Sequence, residues 1–157
     1  MAQIVTITNP LTGQPAQVDQ LDHTAQEIDD GIGFESTDYP GCYYRTVDGA
    51  VEWLNPPMVV GTEYRTTERF MGKPVYVKLV DFGAGANNTE KSVEHGASNA
   101  IVIDYGGYAK SGNSALSIPW MTHSTLSASS TIITMTADAN YSGYSVYVWI
   151  KYYKTTD

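Results

Sequence analysis

Residues 61–82, GTEYRTTERFMGKPVYVKLVDF, constrain the fold more than any other stretch of the 157-residue chain. From Thr62 to Phe70 the side chains alternate. Tyr64, Thr66 and Phe70 fall on one face, and Glu63, Arg65, Thr67 and Arg69 on the other. Strand side chains point to opposite faces with period two, so this is a strand with one packed and one wet side. Met71-Gly72-Lys73-Pro74 supplies the turn, because Gly72 reaches positive φ easily and Pro74 fits only a strand start or edge. Beyond it, Val75, Val77 and Leu79 oppose Tyr76 and Lys78, until Val80 and Phe82 break the alternation. That break predicts burial on both faces near the strand end, or a bulge. The two arms predict a β-hairpin against which later strands pack.

The rest of the chain follows the same β pattern, with one helical exception. Residues 3–8 are short and β-branched, and Asn9-Pro10 and Thr12-Gly13 end them. In residues 17–30, Val18, Leu21, Ala25, Ile28 and Ile32 fall at spacings of 3, 4, 3 and 4, the a/d register of a coiled coil. Gly31 stands where a helix C′ glycine would, and Thr24 with Glu27 forms a capping-box pattern that would start the helix at Ala25 instead. Two heptads do not hold a helix alone in water. The helix either packs on its own domain or meets copies of itself, and both readings stand. Asp48-Gly49 between Cys42–Thr46 and Val51–Leu54 predicts a hairpin, which Asn55-Pro56-Pro57 ends.

Thr89 to His95 reads as an edge strand, Ile101-Val102-Ile103 as a short buried one, Gly106 to Asn113 as a glycine-rich loop, and Leu116 to Met121 as extended. Ser130 to Thr136 and Tyr144 to Lys154 read as a last hairpin joined by residues 137–143. On its final strand Tyr144, Val146, Val148, Ile150 and Tyr152 share one face, and Tyr147, Trp149, Lys151 and Tyr153 the other. Both faces are rich in apolar or aromatic groups, so the second one calls for a partner, either a sheet of the same chain or a neighbouring subunit. Roughly eight short strands with glycine, proline and asparagine turns predict an all-β fold, an antiparallel β-sandwich of jelly-roll type. Residues 1–33 form an attachment segment with a short helical neck, and 34–157 the sandwich domain.

Charge narrows the partners. Residues 1–52 hold nine carboxylates against Arg45 alone, while residues 53–157 hold eight charges of each sign. An acidic start and a neutral body lack the basic footprint that nucleic acid requires. No stretch approaches the roughly 18 apolar residues of a membrane span, and MAQIVTITNP has no signal-peptide pattern, so synthesis in a cytoplasm without membrane insertion is expected. Cys42 is the sole cysteine, which excludes an internal disulfide, and a small buried residue is its ordinary role.

Catalytic chemistry finds no constellation. His23, His95 and His123 are scattered, no GxSxG, HExxH or phosphate-cradling loop occurs, and no acidic pair stands out after residue 53. No enzyme activity, metal or cofactor is expected. What stands out is 12 tyrosines and 3 tryptophans. Flat rings stack on sugar C–H faces, and tyrosine offers contact area at low entropic cost. The candidate ligand residues are Asp104, Tyr105 and Tyr108 in one tyrosine-glycine stretch, Asn140, Tyr141 and Tyr144 in another, and Trp120 with His123 in a third. The candidate oligomer contacts are Val18, Leu21, Ala25, Ile28 and Ile32 of the neck, and Tyr147, Trp149 and Tyr153 of the final strand.

WLNPPMVVGTEYRTTERFMGKPVYVKLVDFG followed by NNTEKSVEHG resembles the C-terminal domain of tailed-bacteriophage tail-fibre and receptor-binding proteins. The likeness runs over roughly residues 50–105, and ITNPLTGQPAQV with LDHTAQEIDDGI is similar to the join found in such proteins. The resemblance implies a homotrimeric head domain in the virion tail. It would be attached to other tail proteins through its N-terminus and would bind a host-surface receptor, expected to be a glycan. A purely structural tail connector or decoration subunit, or a carbohydrate-active enzyme domain, are the alternatives.

Overall fold

The computed structural model describes residues 4–8, 15–19, 34–36, 38–47, 50–118 and 124–157. Thirteen strands and no helix occur among them. The chain is therefore all-β, as its alternating patterns predict. It divides into two compact units, Met1–Pro57 with Tyr64–Glu68, and Met58–Glu63 with Arg69–Asp157.

In the first unit β1 (Ile4–Thr8) pairs antiparallel with β2 (Pro15–Asp19), with Val5 opposite Val18. This corrects the helix expected over 17–30 at its start, since Val18 is a strand residue. A β-branched run such as Ile4–Thr8 gains a full ladder from the Pro15–Asp19 segment, whereas two heptads gain little alone. Leu21, Ala25, Ile28 and Ile32 lie outside the described residues. The expected hairpin around Asp48-Gly49 is present as β4 (Tyr43–Val47) and β5 (Ala50–Trp53), with Arg45 opposite Glu52 and β3 (Phe34–Glu35) along β4. Asn55 closes it, its side-chain oxygen accepting the Tyr43 N–H at 2.8 Å and its amide donating to the Gly41 carbonyl at 2.6 Å. Cys42 is half-buried and free.

Strand β6 (Glu63–Phe70) joins β5 in parallel at Thr66, opposite Trp53. The Tyr44, Trp53 and Tyr64 rings meet there, with centroids 5.4 and 5.7 Å apart. On the other face Glu52 is fully buried, and one of its oxygens accepts from Arg45 at 3.2 Å and the other from Arg65 at 3.0 Å. A carboxylate so deep is tolerated because both oxygens are ion-paired.

In the second unit, Phe70 turns through Met71 (φ 51°) and Gly72 (φ 81°) into β7 (Lys73–Ala84). Two consecutive left-handed residues make the tight turn whose twist suits a hairpin. Two sheets follow. In one the order is β10 (Ser114–Ile118), β9 (Ala100–Ser111), β13 (Ser145–Lys154), β7. The other is β11 (Ser124–Ala128), β12 (Ile132–Ala137), β8 (Glu90–Glu94), so the Thr89–His95 stretch is an edge strand as expected. Residues 130–136 and 144–154 are not a hairpin. Their strands β12 and β13 belong to different sheets, and the turn between them crosses from one to the other. Facing side chains of the two sheets share one core, including Phe82, Ile133, Met135, Val146, Val148 and Ile150. The same core takes in Tyr152, whose hydroxyl donates to Glu63. Burial first, then that bond, pushes the Tyr152 phenol above its ordinary range.

The break at Val80 and Phe82 is both things the alternation allowed. Leu79 and Val80 are buried on opposite faces, and the register against β13 skips Phe82 between Asp81 and Gly83. That bulge turns carbonyls out of the ladder, and Lys91 satisfies them. Its ammonium donates to Phe82 O at 3.0 Å and Ala84 O at 2.6 Å, and lies 4.9 Å from the Phe82 ring centre. Lys91→Met keeps the bulk and removes both bonds, so it is expected to lower stability by about 1–3 kcal/mol, read as a lower urea midpoint at unchanged slope.

His95, at the end of β8, is 2% exposed. Its Nδ1 accepts the Ala97 N–H at 3.1 Å, and its Nε2 therefore donates to Ser129 O at 3.2 Å. Burial holds its pKa below the ordinary 6.5, the Ser129 carbonyl opposing and Lys78 assisting. The unfolded chain takes up a proton that the folded one refuses. Stability is thus complete above about pH 6.5 and falls as pH drops from there through the folded value. Denaturant melts between pH 8 and 5 should trace this slope, and His95→Gln should flatten it.

Candidate functional site

The outer face of the β9–β13–β7 sheet gathers Tyr108, Tyr147 and Trp149. Pairing register fixes its rows. Tyr108, Tyr147 and Asp81 stand side by side across the three strands, then Gly106, Trp149 and Leu79, then Asp104, Lys151 and Val77. Cross-strand partners share a face, so Tyr108, Tyr147, Trp149, Asp81, Asp104 and Lys151 all lie on this side. The Tyr108 and Tyr147 rings stack with centroids 5.3 Å apart and planes 25° from parallel.

Trp149 depends on its glycine partner. A Cβ on Gly106 would lie 2.6 Å from Trp149 Cζ2 and 2.9 Å from Cε2, so the indole rests directly on the β9 backbone. At Gly107 a Cβ would meet the Tyr147 carbonyl oxygen at 2.5 Å. Both glycines are therefore strand residues that let neighbours approach closely, and Gly106–Asn113 is not the expected loop: β9 runs unbroken through Ser111. Ile101, expected in a buried strand, is 40% exposed within it.

The structure separates the sequence candidates. Asp104 and Tyr108 join the outer face. Tyr105 pairs with Ile150 and so lies on the opposite, core-side face, where it is 40% exposed. Asp104 caps the adjacent Tyr105 N–H at 2.9 Å. Asn140, Tyr141 and Tyr144 do form a turn, held by its own bonds. Asn140 accepts the Ser142 N–H at 3.0 Å, Tyr141 N–H donates to Ala86 O at 2.9 Å, and Gly85 N–H to Tyr144 O at 3.0 Å. Both tyrosines pack partly buried against the core. Trp120 and His123 lie outside the described residues.

Of the expected oligomer contacts, Tyr147 and Trp149 are half-buried on the outer face, while Tyr153 stacks on Phe70 at 5.6 Å, with the Lys73 ammonium 5.8 Å from its centre. Their own chain covers part of each. Sequence reasoning missed Asp81 and Gly106 as members of the outer face. The alternation of β13 placed Lys151 beside Trp149, but the register that adds Asp81 and Gly106 comes from pairing alone.

Such a face can stack a planar or weakly polar surface on the rings while Asp81 and Asp104, both exposed, accept hydrogen bonds at its margin. Among the described residues no group of three or more His, Cys, Asp or Glu side chains is placed to hold a metal ion. Comparison with protein-family models, with curated proteins and with solved structures finds no match. Gly106→Ala forces the indole off its seat. It is expected to cost about 1–3 kcal/mol, read as a lower urea midpoint, and to shift tryptophan fluorescence.

Proposed function

We propose that this chain is the head domain of a tailed-bacteriophage tail fibre or tail tip, and that it binds a host-surface glycan on the outer face of the β9–β13–β7 sheet. The observation that carries the binding reading is the cluster of Tyr108, Tyr147 and Trp149 on one sheet face, with Asp81 and Asp104 on the same face. Electron-rich ring faces attract the C–H faces of a sugar, and carboxylates accept its hydroxyl protons. Residues 53–157 carry no net charge, which suits a neutral saccharide and gives binding that depends only mildly on salt.

The viral reading rests on the sequence resemblance over residues 50–105. In this reading the two facing sheets of the second unit belong to a jelly-roll-like sandwich, three copies form the head, and the seam left to the neck is Leu21, Ala25, Ile28 and Ile32. Acidic residues 1–52 would face other tail proteins. Three weak sites on one fibre raise avidity without new contacts.

The test is attachment of the purified chain to intact cells of a bacterial panel, before and after periodate oxidation of their glycans. Binding that periodate abolishes is expected. Trp149→Ala and Tyr108→Ala should each reduce it at least tenfold, while thermal melting confirms that the variants are folded. Attachment that survives periodate and both substitutions would refute the glycan site. Light scattering that finds a monomer would refute the trimeric head.

A further inference from the structure

Where β8 passes into β9, the second unit carries an open cleft of about 480 Å³. One wall is the 94–100 connection and the other the turn at Ser130 and Thr131. The volume lies in the range of small-ligand sites. No aromatic or large aliphatic side chain lines it. Its polar side chains are those of Glu94, Ser98, Asn99, Ser130 and Thr131, beside the small residues Gly96, Ala97 and Ala100.

The walls are held from behind. The buried His95 ring ties Ala97 N–H to Ser129 O, and the His95 N–H donates to Thr131 O at 3.1 Å. Asn99 adopts a left-handed φ of 54°, and its carbonyl accepts the Thr155 N–H at 3.0 Å. Ser129 Oγ accepts from Thr131 N–H at 3.4 Å and Ile132 N–H at 3.2 Å. These backbone groups are thus engaged within the chain. The side chains of Glu94, Ser98, Asn99, Ser130 and Thr131 are all exposed and have no hydrogen bond within the described residues. The result is a pre-organised hollow with five uncommitted polar side chains.

We infer that this cleft holds one neutral sugar residue. Three hydroxyls and a carboxamide each donate and accept, which matches groups that also do both, and a carboxylate can accept from two neighbouring hydroxyls of one ring. The charges nearby balance. The Lys78 ammonium donates to Gly96 O at 3.4 Å beside the single acid Glu94, so neither a cation nor an anion is favoured. The site shares no residue with the Tyr108–Trp149 face, and it does not rest on the chain being a phage head.

The test is a ¹H–¹⁵N NMR titration of the full chain with the methyl glycosides of glucose, galactose, mannose and N-acetylglucosamine. Glycerol, acetate and methylammonium serve as comparison ligands. At least one glycoside is expected to shift the Ser98, Asn99 and Thr131 amides saturably. Ser98→Trp, an exposed position whose indole would fill the hollow, should weaken that response at least tenfold, as should Asn99→Ala, whereas Trp149→Ala should leave it unchanged. Silence of these amides across the glycosides overturns the inference. So does an equal response to glycerol, acetate or methylammonium, or undiminished binding in folded Ser98→Trp. Should Ser98→Trp fail to fold, Asn99→Ala decides in the same way. Loss of cell attachment with an intact cleft response would separate failure of the sheet-face reading from failure of this one.

Discussion

Strand β13 is the member on which the second unit depends. It is hydrogen-bonded on both sides, to β7 and to β9, over nearly its whole length. Val146, Val148, Ile150 and Tyr152 on its inner face are each fully buried. A central strand with this inner face cannot slip by one residue, because a slip would send all four side chains to the other side of the sheet. Its register therefore sets that of its neighbours. The irregularities fall on those neighbours: Phe82 is the extra residue of β7, and the register against β9 skips Ile103 between Lys151 and Tyr152. Bulges let the flanking strands coil around a regular centre.

The fixed centre also explains the outer face. With the inner side chains committed to the core, Tyr147, Trp149 and Lys151 have one direction left. Trp149 needs room on a crowded sheet, and Gly106 opposite it provides that room. The glycine would weaken β9 alone, for it brings no side chain to the ladder and more backbone freedom to lose. Covering it with an indole restores the missing contact, so the two residues are better understood as a pair.

That pair marks the limit of what could be read from residues alone. The alternation of β13 was legible, because a ten-residue strand with one wholly apolar face admits one interpretation. The turn at Met71-Gly72, the hairpin at β4 and β5, and the disturbance at Phe82 were legible from local chemistry. Gly106-Gly107 was not. Two glycines flanked by tyrosines signal a loop locally, and only the partner strand shows why a strand tolerates them. The link from β12 to β13 failed for a related reason, since seven connecting residues suit either a hairpin or a passage between sheets. Val18 was lost from the neck because a heptad spacing over two heptads is weaker than a ladder with β1. The Asp81 and Asp104 margin depends on cross-strand register, which no single segment encodes.

The sequence signature that carries the phage resemblance has structural work in this fold. Asn55 clamps Gly41 and Tyr43, Gly61 takes φ 79° and donates to Leu79 O at 2.7 Å, Tyr64 joins a ring cluster and Arg65 pairs with buried Glu52. Groups engaged in this way keep a scaffold constant and leave little freedom for recognition. The outer face obeys a different economy. Tyr108 and Tyr147 fix one another by stacking, and Trp149 is seated on backbone, so the rings have already lost much of their rotamer freedom before any partner arrives. A surface ordered in advance spends less of its contact energy on ordering, and strands hold it more firmly than loops would. The cleft beside His95 reaches the same state by another route, through backbone groups tied behind its walls. In both places the rigidity comes from residues that would never touch a ligand. Gly106 and His95 therefore belong to the recognition proposed for these two surfaces as much as the tyrosines and hydroxyls they position.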